Sequence, residues 1–152
     1  MKKIFLSLLF LYTFQGEAQN WHVNTEPIYF FLQSPNIALD YNINPSIALG
    51  FQYAALNWAN KGNNLSGFQL FFSRTSHINS NSEILKLYVG LLSPNTTLLK
   101  MEAKDRPLPL YEILYGYRWV MNSRFSVAIL AGTFFTSKNM YPSISIPVGY
   151  LF

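Results

Sequence analysis

The chain has 152 residues, the length of one domain, and is 50% hydrophobic, 17% aromatic and only 12% charged, where soluble domains carry about 25% charged residues. Its formal net charge of +4 comes without a basic run that could track a phosphate backbone, which argues against nucleic acid as a partner. The absence of cysteine excludes disulfides, thiolate metal sites, cysteine nucleophiles and a lipidated cysteine together.

Residues 1–18 have the layout of a secretory signal. Lys2 and Lys3 are followed by the apolar run Ile4–Tyr12, and Gly16-Glu17-Ala18 offers small residues for cleavage after Ala18. The run is shorter than the roughly 20 residues that a spanning helix needs. The mature chain, 19–152, has no apolar run of that length either. A membrane location would therefore require a closed barrel, because lipid offers unpaired backbone groups no partner.

The mature chain breaks at Pro, Asn, Gly and Ser clusters into short segments, most alternating with period two, as strands do. Glu26–Leu32 is apolar on both faces and leaves its register open. In Ile37–Ile43, Ile37, Leu39, Tyr41 and Ile43 oppose Ala38, Asp40 and Asn42. In Ile47–Ala55, Ile47, Leu49, Phe51 and Tyr53 oppose Ala48, Gly50, Gln52 and Ala54. Leu65–Ser76 sends Phe68, Leu70 and Phe72 to one face, with Arg74 among them near the strand end. In Leu85–Leu91, the leucines and Val89 oppose Lys86, Tyr88 and Gly90. Tyr111–Met121 is the clearest case: Tyr111, Ile113, Tyr115, Tyr117, Trp119 and Met121 oppose Glu112, Leu114, Gly116, Arg118 and Val120. Phe125–Phe135 and Ile144–Phe152 complete eight strands, and Pro147 predicts a bulge or distorted pairing in the last.

These segments predict an all-β fold: a closed, antiparallel, up-and-down, eight-stranded transmembrane barrel. Asn60–Asn64, Pro94–Pro107 and Ser137–Tyr141 are read as outer loops, with a short first outer connection at Gln33–Pro35. Asn44-Pro45, His77–Ser82 and Asn122-Ser123 are read as inner turns. The charges agree with that division. Lys61, Lys100, Glu102, Lys104, Asp105, Arg106 and Lys138 fall in the loops, and Asp40, Lys86, Glu112 and Arg118 on the face of small residues. Those four are expected to form a structural charge network in the lumen, with Arg118 and Glu112 each paired to an opposite charge. Trp58, Tyr111 and Tyr141 are expected to form an outer aromatic girdle, and Trp119, Tyr150 and Phe152 an inner one.

The alternation Ile144, Ile146, Val148, Tyr150, Phe152 closes on an aromatic terminus. It resembles the C-terminal signal read by the barrel-assembly machinery, which would rest here on Val148, Tyr150 and Phe152. The stretches Pro27–Leu32, Ser34-Pro35-Asn36, Ile37–Ile43 and Gly116-Tyr117-Arg118-Trp119-Val120 resemble small outer-membrane barrels grouped as a domain of unknown function. The architecture is similar to OmpA and OmpX. That resemblance implies fold and bacterial outer-membrane location; it transfers no functional residues.

Candidate chemistry is sparse. Arg74-Thr75-Ser76-His77-Ile78-Asn79-Ser80-Asn81 is loosely similar to the His and Ser of outer-membrane lipid A deacylases, but the position two residues after His77 is Asn79, and turns select Asn and Ser in any case. His22 reads as a solvated or packed residue, and the two histidines lack metal-ligand spacing. No catalytic set, cofactor site or metal site is expected. The expected role is a non-enzymatic envelope barrel, structural or surface-interacting. The alternatives are a lipid-modifying barrel enzyme and a secreted lipocalin-like binding barrel. Although porin-like in class, a barrel of roughly eight strands is just filled by its own side chains, which disfavours a pore. The expected partners are outer-membrane lipids and lipopolysaccharide, with loop 94–107 as the contact for a surface partner.

Overall fold

The computed structural model describes residues 20–27, 36–58, 63–93, 107–122, 124–137 and 139–152. Nine strands run in chain order: β1 Trp21–Thr25, β2 Asn36–Asn44, β3 Ile47–Trp58, β4 Asn63–Thr75, β5 Ser82–Leu92, β6 Leu108–Met121, β7 Phe125–Thr136, β8 Met140–Ser145 and β9 Val148–Leu151. Each pairs antiparallel with its chain neighbours from β1 to β8. The last two are halves of one stave, both held by β7, and β9 closes the ring on β1. The protein is an all-β, closed, eight-stranded antiparallel barrel.

Alternation builds its two faces. Along β6, Tyr111, Ile113, Tyr115, Tyr117, Trp119 and Met121 are exposed, while Leu110, Leu114 and Arg118 are buried. The same division runs through β2, where Ile37, Tyr41 and Ile43 face out and Ala38, Asp40 and Asn42 face in. Because strand side chains alternate, one register decides every residue of a stave at once.

The turns follow local chemistry. Between β2 and β3, Asn44 Oδ1 accepts from the Ser46 amide at 2.9 Å, an Asx turn across Pro45. Between β6 and β7, Asn122 takes a φ of 51°, a left-handed conformation that Asn tolerates well. The β4–β5 turn is longer because it has neighbours to hold. Its Ile78 amide donates to the Pro45 carbonyl at 2.8 Å, and its Asn81 Oδ1 accepts from the Val120 amide at 2.8 Å.

Several expectations are corrected. The first described strand is Trp21–Thr25, ahead of the expected Glu26–Leu32; of that segment Glu26 and Pro27 lie beyond β1, and 28–32 lies outside the described residues. His22, read as solvated or packed, is packed, and with Asn24 it is turned inward from β1. Tyr141 is half-buried and stacks on Phe134 with centroids 5.0 Å apart, on the inward side with Ser143 and Ser145, so it is no part of an outer girdle. The side chain of Trp58 lies outside the described residues, as do 94–106 and Gln33–Pro35. At the turn end, Trp21 packs on Tyr41 at 4.9 Å, joining the pairs Tyr117–Trp119 and Tyr150–Phe152. Pro147 does interrupt the last stave, splitting β8 from β9, although its carbonyl still accepts from Ala128 at 3.0 Å. Arg74 points outward, one residue from the end of β4.

Candidate functional site: the barrel interior

The lumen is filled by side chains rather than left open. Midway, Ala38, Phe71, Ile84, Tyr88, Leu114, Ala128 and Leu130 form one apolar cluster, with Leu114 and Leu130 fully buried. Gly50 lets the ring of Phe71 lie against the wall, since a Cβ there would overlap it. Toward the loop end, Leu92 and Leu110 form a second cluster with Leu108, Phe134 and Tyr141.

Polar residues occupy the remaining layers. Asp40, Lys86 and Arg118 are buried and Glu112 half-buried, all on the inward face; Glu26 and His22 join them there. Lys86 holds its Nζ over the Phe71 ring, 4.7 Å from the centroid, within electrostatic reach of Asp40, Glu26 and Glu112. Glu26 accepts from Ser145 Oγ at 2.7 Å, and Glu112 accepts from Ser143 Oγ and Gln69.

Arg118 lies within electrostatic reach of Asp40, and Glu112 of Lys86, while the hydrogen bonds of both among the described residues go to neutral groups. Arg118 Nη2 donates to the carbonyls of Ile78 and His77 at 2.7 and 3.0 Å, in the turn beneath it. A guanidinium offers five fixed N–H donors, so it can latch a turn whose carbonyls would otherwise face the interior. His77 itself is exposed and supplies its carbonyl, not its imidazole.

His22 Nδ1 and Asp40 Oδ2 lie 3.4 Å apart, a contact that is an ion pair only when the imidazole is protonated. His22 Nε2 lies 2.9 Å from Ser126 Oγ, and Asn24 Nδ2 lies 2.6 Å from Asp40 Oδ1 and 3.1 Å from His22 Nδ1. β1, β2 and β7 thus bring together a serine, a histidine and an aspartate that are scattered along the chain. Reading His22 outside any strand concealed this arrangement; inward alternation with Asn24 was the signal that could have found it.

That order is the order of a nucleophilic triad, but the short contact of Asp40 is with Asn24 Nδ2 at 2.6 Å, and its distance to His22 is longer at 3.4 Å. An ionised Asp40 only accepts, so Asn24 must present its NH2 group to it. The second N–H of that group lies toward His22 Nδ1, and a ring that accepts it there carries its proton on Nε2 and donates to Ser126. A general base needs the opposite tautomer, accepting from the serine. Ser126 is also only 6% exposed. The network is a satisfied buried cluster. Among the described residues, no group of His, Cys, Asp or Glu could hold a metal ion.

No family model matches the chain, and no curated protein or solved structure matches it.

Proposed function

We propose that this protein is a non-enzymatic barrel of the bacterial outer membrane, with a structural or surface-interaction role. One observation carries the reading: among the described residues the outer face is apolar on stave after stave, while the charged groups of the mid-strand positions are inside. Ile37, Leu49, Phe51, Phe68, Leu70, Val89, Leu91, Ile113, Ile129 and Ile144 are all exposed. From Tyr111 to Met121 the outward face of β6 runs about 34 Å at ~3.4 Å per residue. At the ~40° tilt usual for such strands this projects to about 26 Å, close to the ~25 Å apolar band of outer-membrane barrels. The outward charges Arg74, Glu83 and Arg124 all lie toward the turn end, at headgroup depth in this reading.

The expected signal, 1–18, lies outside the described residues and adds its own support through its sequence. The last strand, with Val148, Tyr150 and Phe152, fits recognition by the barrel-assembly machinery, and the apolar belt fits lipid and lipopolysaccharide as surroundings. A lipocalin-like binding barrel fits less well, because its ligand would need the space that Phe71, Tyr88, Leu114 and Leu130 occupy.

Membrane fractionation combined with gel migration of heated and unheated samples tests the proposal. The protein is expected in the outer-membrane fraction, with an unheated form that migrates differently. Recovery in the soluble periplasmic fraction, without a heat-dependent shift, would overturn it.

A further inference from the structure

The barrel wall is uneven. The β6–β7 ladder runs without a break from Leu110 to Met121. The last stave is cut at Ile146-Pro147, and its short half β9 meets β7 only from Phe125 to Val127 and β1 only from His22 to Thr25. Among the described residues the two ladders of β1, to β9 at the seam and to β2 beside it, have four residue pairs each and are the shortest between neighbouring staves around the ring.

The side chains there compensate. Gly149 stands in β9 between β7 and β1, opposite Ser126 on one side and Asn24 on the other. It has no side chain, so His22 reaches over it to Ser126; a Cβ on Gly149 would overlap both the His22 ring and Asn24. Asn24 and His22 then continue to Asp40 on β2. One buried chain of polar contacts spans β7, β9, β1 and β2 on the lumen side.

We propose that Ser126, His22, Asn24 and Asp40 are a closure lock: the network forms when the last strand docks on the first, and it holds the seam shut where the ladder is short. The reason is geometric. His22, Asn24 and Asp40 contact one another on the first two staves, but the bond from His22 to Ser126 needs β7, so the network is complete only when the ring is closed. An open seam would leave the buried Nε2 of His22 and the Ser126 hydroxyl without each other, which is costly in a dry interior. This does not depend on where the barrel resides.

The absence of cysteine makes a clean test available. Ser126→Ala removes the bridging hydroxyl. Its unfolding midpoint in detergent, followed by circular dichroism, is expected to fall by about 3–10 °C. Val23 and Tyr150 lie directly opposite across the seam, at a spacing of about 5.5 Å that antiparallel pairs and disulfides share. Oxidised Val23→Cys/Tyr150→Cys should restore the midpoint of Ser126→Ala. The corresponding Leu70→Cys/Val89→Cys pair, across β4 and β5, should not. An unchanged midpoint in Ser126→Ala, or equal rescue by both crosslinks, overturns the lock. Should Ser126→Ala fail to fold, the seam crosslink on that background must recover the folded barrel; failure to do so also overturns it.

Discussion

At Ser126 the direction of one hydrogen bond separates a catalytic from a structural reading. The distances around His22 fit a triad, but the short contact of Asp40 is with Asn24, and an Asn24 N–H donated to His22 Nδ1 puts the ring proton on Nε2. Ser126 is therefore expected to resist fluorophosphonate labelling in the folded barrel; stoichiometric labelling of Ser126, detected by mass spectrometry, would contradict that tautomer. Lumen residues such as Asp40, Lys86, Glu112 and Arg118 were legible one by one, because each interrupts an apolar alternation on its small-residue face. Their partners were not. Arg118 bonds to backbone carbonyls forty residues away in sequence, and no side-chain pattern encodes a carbonyl's direction.

The β4–β5 turn shows what an element gains from such a residue. Its length looked anomalous beside the other turns, and its contacts explain it: Arg118 holds it from above, Pro45 from one side and Val120 from the other. Arg118→Met should cost about 2–4 kcal/mol, since hydrogen bonds to charged groups contribute about 1.5–3 kcal/mol each. It should also speed amide exchange at Ile78; exchange equal to wild type would show that Arg118 does not hold the turn. At this scale the strands from β2 to β7 were legible to within a few residues, because an inward face of small and polar residues and an outward face of large apolar ones repeat in each. β1 was not. Trp21–Thr25 is short, and its inward His22 and Asn24 look the same in sequence as loop residues would.

For the whole molecule, the apolar outer face generates an expectation that a soluble barrel would not share. Ile113, at the middle of the exposed face of β6, should tolerate Leu, but Ile113→Arg should lower stability in lipid by about 2–4 kcal/mol. Folding titrations in bilayers measure this, and a neutral effect would speak for a face wetted by water. The packed lumen also predicts no steady single-channel conductance after reconstitution; a stable open level in planar bilayers would contradict the two apolar clusters that fill it.

By itself the sequence determined the all-β class, the division of most strands into an outward apolar and an inward small or polar face, the strand break at Pro147 and the inward position of four charges. These follow from period-two alternation and from the missing N–H of proline, both local properties of the chain. Only the tertiary structure decided where the first strand begins, that Tyr141 turns inward, that Arg118 latches a turn, and that Ser126, His22 and Asp40 meet across Gly149. Those depend on which staves become neighbours when the ring closes, and closure joins residues 22 and 151 through a pairing that no local pattern specifies.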